Sequence, residues 1–216
     1  PDTQKEIYYI SAETSAQALA SPHLEGFKSK NIPVLIMTDA IDQFWLPMVG
    51  SFKEKKFTSI TQGKINLDEL DSKNKDKKNK SNNDKDKQDK EYVDLIAQLK
   101  VVLGDQVKDI RLSSKLTDSP VCLVADEGDM DIAMEQLMAQ RDSNYKGAPR
   151  ILEINGDHSL IKNMKSLLSK KESNDLVSDA GTLLFEQARL MEGKMPADPA
   201  QFSKIMNQFL LKAIPN

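Results

Sequence analysis

The chain has 216 residues, with 30 Lys and Arg against 33 Asp and Glu, a formal net charge of -3, and a single cysteine. This near-neutral balance excludes a globally basic nucleic-acid-binding protein, and one cysteine excludes an internal disulfide or a cysteine-rich zinc module. No segment approaches the roughly 18 apolar residues of a transmembrane helix, and the first residues lack the pattern of a signal peptide, so we expect a cytoplasmic protein without a membrane partner.

Residues 1–67 alternate short apolar runs with helical signals. Two runs, 7–10 and 34–37, have the composition of strands that are covered on both faces, and 57–60 is a candidate third strand. Between the first two runs, Ser21 followed by Pro22 predicts a helix N-cap with proline at the first helical position. Residues 41–49 predict another short helix. The pattern indicates a small βαβ layer, which we expect to be the end of a larger domain in a longer protein.

Residues 71–91 contain no apolar side chain, and their lysines nearly balance their acidic residues. Such a segment has nothing to bury and cannot offset the entropy lost when its backbone is ordered. A basic arm that binds nucleic acid would need an excess of positive charge. We therefore predict a charged, flexible linker over 68–91 between two folded parts, in which helix forms only transiently.

Residues 92–216 are richer in helix and predict an α+β domain. Apolar residues at helical spacing, closed by Gly104, predict the first helix over 91–104. The further elements are predicted in the order strand 107–112, strand 120–125, helix 129–140, strand 151–154, helix 159–168, helix 176–191 and helix 199–213. Asp157 and Asp198 each precede a helix at a position where an aspartate caps the first turn.

The last two predicted helices are unusually apolar along one face. The first carries Leu183, Leu184 and Met191, and the second carries Phe202, Ile205, Met206, Phe209 and Leu210. Such a pair buries this face either against a second copy of the chain, in an intermolecular four-helix bundle, or against the strands of its own domain. The spacing alone leaves both arrangements open.

Recognisable catalytic motifs are absent from the sequence, which has no glycine-rich phosphate loop and no spaced pair of zinc ligands. Cys122 is a candidate nucleophile, but its apolar neighbours favour a buried and unreactive thiol. Asp39 and Asp42 have the spacing of an acid–base pair, but their place at the start of a helix favours capping. We predict no catalytic, cofactor or metal site, and the alternative is a small α/β enzyme that uses Cys122 or the Asp39 and Asp42 pair.

Two apolar stripes are candidate contact surfaces. One consists of Phe44 and Trp45 in the predicted helix 41–49. The other lies along one face of helix 129–140 and consists of Met130, Met134, Leu137 and Met138. Flexible thioether side chains repack against many partners, whereas most apolar helix stripes face a core. The spacing leaves both roles open.

Several motifs, taken in order, make the chain resemble the C-terminal part of the ninety-kilodalton heat-shock chaperone family, and its bacterial members most closely. These motifs are IYYISAET, SPHLEGFKSKNIPVLIMTDAID, VKDIRLSSKLTDSP, ILEINGDHSLI, LLFEQARLMEG and DPAQFSKIMNQFLL. Gln43, Lys115 and Gly156 depart from the family pattern, and none of them removes an apolar core position.

The resemblance implies the end of a middle domain followed by a C-terminal dimerisation domain, whose last two helices form a dimeric four-helix bundle. It implies two partners, a second copy of the chain and unfolded client proteins. The client contacts would be the stripe from Met130 to Met138 and Phe44 or Trp45. The family's site for ATP with magnesium would lie upstream of residue 1, so we expect neither a cofactor nor ATPase activity in this chain. The remaining alternative is a passive dimerisation scaffold.

Overall fold

A computed structural model describes residues 4–63, 65, 67, 78–142, 145, 147–168 and 174–214, with residues 78–89 described as backbone. These residues form two units, and each unit is built on one mixed β-sheet. The N-terminal unit precedes residue 68, and the C-terminal unit follows residue 77. None of the helices in this described part of the chain has the length and apolar composition needed to span a bilayer.

The N-terminal unit confirms the predicted strands and the predicted helix at 41–49. Its elements are β1 Glu6–Ser11, α1 Ser15–Leu19, α2 Glu25–Ser29, β2 Val34–Met37, α3 Asp42–Val49, β3 Ser51–Phe52 and β4 Lys55–Ser59. The strands lie in the order β2-β1-β4-β3, with β1 parallel to both of its neighbours and β3 antiparallel to β4. Helix α1 is not predicted by the sequence patterns. It begins where the Thr14 hydroxyl accepts a hydrogen bond from the backbone N–H of Gln17 at 3.2 Å.

A 3-10 turn over Pro22–Leu24 leads into α2 and confirms the predicted cap. The Ser21 hydroxyl accepts a hydrogen bond from the backbone N–H of His23 at 3.3 Å. Phe27 in α2 contacts Tyr8 on β1, and the centroids of the two rings are 5.0 Å apart. Both rings are buried and form part of the apolar core of this unit.

The C-terminal unit contains the remaining elements. They are α4 Lys78–Leu103, β5 Val107–Leu112, β6 Val121–Val124, α5 Ile132–Arg141, β7 Arg150–Ile154, α6 Ser159–Leu168, α7 Asn174–Met191 and α8 Pro199–Ala213. The strand order is β5-β7-β6, so β7 lies in the centre, parallel to β5 and antiparallel to β6. Helices α4, α6 and α7 share one apolar core with this sheet. At Gly181 a Cβ would overlap the side chain of Leu99, so the glycine allows α7 to approach α4 closely.

The start of α4 differs from the predicted linker boundary. Helix α4 begins at Lys78, so residues 78–91 are helical where a flexible linker is predicted over 68–91. Residues 68–77 lie outside the described part of the chain. Once one stretch of helix is fixed by packing, each further residue adds a hydrogen bond at little additional entropy cost. The apolar half of α4, which packs against the core, therefore extends into the polar segment.

The N-terminal cap of α6 also differs from the prediction. Asp157 does not cap this helix, because its carboxylate pairs with Lys162 at 3.2 Å. The cap is His158, whose Nδ1 accepts a hydrogen bond from the backbone N–H of Leu160 at 3.1 Å. An imidazole nitrogen can replace a carboxylate oxygen here, since a cap needs only a well-placed acceptor.

Hydrogen bonds join the two units at the loop between β5 and β6. The Glu25 carboxylate accepts hydrogen bonds from the backbone N–H groups of residues 117–119 at 2.8–3.1 Å. The buried Lys115 ammonium donates to the carbonyl oxygen of Gln62 at 3.1 Å. A Cβ at Gly26 would lie 2.5 Å from the Lys115 carbonyl oxygen, so this close approach needs glycine. The contact brings α3 of one unit and α5 of the other to a shared groove.

Candidate functional site

Helix α5 carries the methionine stripe at the surface of the C-terminal unit. The helix begins after Asp131, whose carboxylate accepts a hydrogen bond from the backbone N–H of Ala133 at 3.0 Å. Met130 lies just before the helix and is 41% exposed. The other three predicted contact residues are half-buried: Met134, Leu137 and Met138. None of the four belongs to the buried apolar clusters, so Met130 is accessible and the other three are partly accessible.

The buried face of α5 combines one apolar residue with one charged residue. Its buried residues are Ile132 and Glu135. The Glu135 carboxylate pairs with the Arg150 guanidinium on β7, and both side chains are buried. Arg150 also donates to the carbonyl oxygen of Met130 at 2.9 Å, and Glu135 accepts from the backbone N–H of Ala148 at 2.7 Å. This buried ion pair and its hydrogen bonds hold the helix in one position, although the Arg150 Nε itself has no hydrogen-bond partner among the described residues.

Hydrogen bonds also tie α5 to both neighbouring parts of the chain. The Thr61 hydroxyl of the N-terminal unit donates to the Asp131 carboxylate at 2.8 Å. The Gln136 amide donates to the backbone carbonyl of Glu192, at the end of α7, at 2.5 Å. Helix α5 therefore connects the N-terminal unit with the C-terminal helix pair.

The two aromatic candidates on α3 have different surroundings. The Trp45 indole N–H donates to the Asp42 carboxylate at 2.7 Å, and its ring meets Phe57 edge-on at 5.8 Å between centroids. Phe44 is 38% exposed and shares the outer face of α3 with Met48, which is 85% exposed. Ile41, just before the helix, is also exposed. The structure therefore separates a packed Trp45 from an accessible stripe of Ile41, Phe44 and Met48.

Ile41 and Met48 are further candidate contact residues, which the sequence analysis does not assign to the contact surface. Their separations from Phe44, three and four residues, place all three on one helix face. That signal is present in the sequence, but it is hidden because most residues of this short helix are apolar.

A groove of about 270 Å³ lies between the start of α3 and helix α5. Gln43 of α3 and Leu137 of α5 both line it, together with Met37 at the end of β2. The fold thus brings the helices that carry the two predicted stripes to opposite sides of one groove, although they are far apart in the sequence.

The predicted dimer-interface residues on α7 and α8 fall into three groups by exposure. Two are buried within the chain: Leu184 and Ile205. Three are half-buried: Leu183, Phe202 and Phe209. Three are exposed: Met191, Met206 and Leu210. Leu211, at 77% exposure, and Ile214 add to the exposed group.

Helix α8 is thus divided between an inner and an outer apolar face. The predicted cap is confirmed, because the Asp198 carboxylate accepts hydrogen bonds from the backbone N–H groups of Ala200 and Gln201 at 3.0 and 2.9 Å. On the inner face, Phe209 packs against the main apolar core. The chain's own core covers only this inner face.

Cys122, Asp39 and Asp42, the residues of the alternative enzyme hypothesis, are each buried or held in local hydrogen bonds. Cys122 is buried, and its burial raises the pKa of the thiol well above the ordinary value, which keeps it protonated. The Asp39 carboxylate accepts a hydrogen bond from the backbone N–H of Ile41 at 3.1 Å, and Asp42 holds the Trp45 indole. Among the described residues, no group of three or more His, Cys, Asp or Glu side chains is arranged to hold a metal ion.

Two buried titratable groups line a small cavity between the units. Burial raises the pKa of Glu192 to about 7, although Lys194 lies 3.4 Å from its carboxylate. Burial, with a smaller contribution from nearby Lys115, lowers the pKa of His23 to about 3. The cavity that both residues line is about 50 Å³ and is also lined by Cys122. Glu192 thus remains partly protonated near neutral pH, and His23 remains neutral.

Comparison with known proteins gives a consistent result over almost the whole chain. Residues 1–215 match the family model described as Hsp90 protein. Chaperone protein HtpG of Roseobacter denitrificans is 40% identical over 213 residues, which cover 98% of this chain and 34% of that protein.

Two further relatives agree with this match. Chaperone protein HtpG of Paramagnetospirillum magneticum is 38% identical over 213 residues, which cover 99% of this chain and 34% of that protein. Chaperone protein HtpG of Wolbachia pipientis is 38% identical over 210 residues, which cover 97% of this chain and 32% of that protein. The chain therefore spans about a third of the length of the relatives it matches.

Proposed function

Because the chain belongs to the Hsp90 protein family, we propose that it supplies the self-association and client-contact surfaces of a molecular chaperone. Its partners are a second copy of the chain and unfolded client proteins, and it acts in the cytoplasm. The ATP site that serves the chaperone, with its magnesium ion, lies outside the 216 residues. The chain itself then needs no cofactor and performs no catalytic step.

The arrangement of α5 is the observation that carries the client-contact proposal. A surface helix normally turns its apolar face to the core, but α5 buries the Glu135 ion pair beside Ile132 and leaves Met130 exposed and the rest of its stripe partly accessible. A helix stabilised in this way keeps apolar surface in contact with water. Burying that surface against exposed apolar parts of other chains is favourable. A contact surface for unfolded proteins needs this property.

The chemistry of these side chains suits clients of many sequences. Methionine has three rotatable bonds and a polarisable sulfur, so it fills irregular spaces without a fixed partner geometry. Phe44 and Met48 on α3 add a second apolar surface, and the groove between α3 and α5 gives an extended segment a place to lie. Contacts of this kind are non-directional, which allows release as well as capture.

Helix α8 supports the self-association proposal. Its outer face exposes Met206, Leu210, Leu211 and Ile214, a continuous apolar strip near the end of the described chain. Two copies that oppose such strips bury them in an intermolecular four-helix bundle built from α7 and α8 of each chain. In a twofold symmetric dimer the same strip of each copy faces the other, so one apolar strip per chain is enough to form the interface.

One experiment with two matched variants tests both surfaces. Met130→Lys with Met134→Lys changes the α5 stripe, and Leu210→Asp with Leu211→Asp changes the α8 strip. The first variant is expected to lose most of its ability to suppress aggregation of a heat-unfolded reporter enzyme while it sediments as a dimer. The second is expected to sediment as a monomer at micromolar concentration and to bind isolated client segments normally. Each variant is therefore the control for the other.

The alternatives predict different results. A passive dimerisation scaffold would show the same suppression of aggregation with and without the α5 changes. An unmodified chain that sediments as a monomer at micromolar concentration would contradict the self-association proposal. Circular dichroism melting of both variants identifies a loss that comes from unfolding, since each altered side chain is only partly buried or exposed.

A further inference from the structure

The groove between α3 and α5 is lined by both apolar and acidic side chains. Met37 and Leu137 contribute apolar surface to it. Glu13, in the loop after β1, and Asp39, before α3, contribute carboxylates, and Gln140 contributes an amide. No Lys or Arg is among the described residues that line it. The groove is therefore negatively charged where it is polar.

Both carboxylates keep free capacity to accept hydrogen bonds. Glu13 accepts one from the Gln140 amide at 3.2 Å, and Asp39 accepts one from the backbone N–H of Ile41 at 3.1 Å. A carboxylate offers about four acceptor positions on its two oxygens. Within the described part of the chain, neither carboxylate forms an ion pair with Lys or Arg. Each can therefore accept a cationic donor from a bound partner.

We propose that this groove selects client segments in which Lys or Arg stands between apolar residues. The inference rests on the proposed client-contact function and names the segments that the site prefers. The apolar residues of such a segment cover the α3 and α5 stripes, while its cationic side chain enters the groove and binds Glu13 and Asp39. An acidic residue at the same place meets two like charges and is disfavoured.

The size of the groove fits this occupant. A volume of about 270 Å³ lies just below the range of about 300–1,000 Å³ that is typical of pockets for whole small ligands. It suits one or two side chains of an extended segment that passes across the surface. The selectivity is expected to be modest, because exposed ion pairs contribute about 0.2–1 kcal/mol each, or about 1.4- to 5-fold in affinity.

The test compares three fluorescein-labelled peptides that share two Leu-Phe pairs and differ in the two residues between them. Those residues are Lys, Gln or Glu. Fluorescence anisotropy is expected to show that the Lys peptide binds about 2- to 5-fold more tightly than the Gln peptide, and the Glu peptide more weakly than both. The preference is expected to shrink when ionic strength rises from about 0.05 M to about 0.5 M.

Isosteric variants then locate the source of the preference. Glu13→Gln with Asp39→Asn keeps the acceptor oxygens for Gln140 and Ile41, and it is expected to bind all three peptides like the Gln peptide. Asp94→Asn is the matched control, because Asp94 is an exposed acid beside α6 and outside the groove. This control is expected to keep the preference for the Lys peptide.

Several outcomes would overturn the inference. Equal binding of the three peptides would do so and would leave the client-contact function standing. A preference that persists in the Glu13→Gln, Asp39→Asn variant would place its source elsewhere. A change in sedimentation of that variant would identify the groove as a contact between copies of the chain. If none of the peptides binds, the proposed client-contact function fails, and the selectivity fails with it.

Discussion

Helices α5 and α8 both present apolar side chains to solvent, but they are fixed to the protein by opposite means. On α8, the inner face is apolar: Ile205 is buried and Phe209 packs against the main core. On α5, the inner face carries Glu135, which pairs with Arg150 in a buried environment. Both helices therefore carry an accessible apolar surface, but apolar packing holds α8 in place and a buried ion pair holds α5.

The difference has consequences for how each helix responds to change. Apolar packing loses free energy gradually as buried area is removed. A buried ion pair is stable only while both charges are present, because either one alone is left desolvated without a partner. We therefore expect α5 to detach in an all-or-none manner when its pair is broken, and α8 to weaken in proportion to the atoms that are lost.

The largest effect is expected from breaking the buried pair. Arg150→Met should destabilise the C-terminal unit by about 3 kcal/mol, because it leaves the buried Glu135 carboxylate with only the partly exposed Lys194 ammonium, 3.5 Å away, as a cationic partner. Urea unfolding measures the total loss, and amide hydrogen exchange shows where it occurs. Exchange is expected to accelerate in α5 more than in α8.

The double variant Arg150→Met with Glu135→Met is the control for that prediction. It removes both charges and is expected to recover most of the lost free energy, since two apolar side chains can replace a buried ion pair at little cost. If the single and double variants are equally unstable, lost packing rather than an unpaired charge explains the effect. The proposed contrast between α5 and α8 would then disappear.

A smaller loss is expected from the inner face of α8. Ile205→Ala should destabilise the protein by about 2–3 kcal/mol, because it removes buried methyl and methylene groups and leaves a cavity. Leu211→Ala, on the outer face of the same helix, should change the stability of the monomer by less than about 0.5 kcal/mol. Urea unfolding, at a protein concentration too low for the chain to dimerise, compares the free energies of unfolding of the two variants. Equal losses would show that α8 has no distinct inner face.

Apart from the Leu211→Ala control, the smallest effect is expected at Glu192, where the Gln136 amide of α5 binds the backbone carbonyl at the end of α7. Its pKa of about 7 in the folded protein, against 4.5 ordinarily, means that the folded state holds a proton which the unfolded state releases. The contribution to stability therefore falls as pH rises from about 4.5 to about 7. Glu192→Gln should stabilise the protein by about 1–3 kcal/mol at pH 8 and leave it unchanged near pH 4.

Urea unfolding across this pH range measures the difference between the two proteins. His23 has the opposite effect, because its lowered pKa makes stability fall as pH drops below about 6.5. That contribution is present in both proteins and cancels in the difference. A pH-independent difference would contradict the raised pKa of Glu192.

Most of the fold could be predicted from local patterns. Apolar runs identified the strands, apolar spacing identified the long helices, and Ser21 and Asp198 are the caps that the sequence indicates. Helix α1 was missed because it has only five residues and too few apolar positions to show a period. The cap of α6 was assigned to Asp157 rather than His158, because two adjacent acceptors compete and only the backbone geometry decides between them.

The candidate site was less accessible to such reasoning. The stripe from Met130 to Met138 could be recognised as one face of a helix, but its spacing is the same whether that face is buried or exposed. The position of Phe44 relative to Trp45 depends on Asp42 and Phe57, whose contacts form only in the folded unit. The groove between α3 and α5 joins two units and has no signal in either segment alone.

The sequence by itself determined the family, the order of the helices and strands, and the sets of residues that share a helix face, because these depend on composition and local spacing. The tertiary structure alone decided which faces are covered. Glu135 pairs with Arg150 on β7, so α5 buries a charged side chain, while Met130 is exposed and Met134 and Met138 are only half-buried. The spacing of apolar residues predicts which residues share a helix face. Only the packing of the whole fold determines whether that face is buried or exposed.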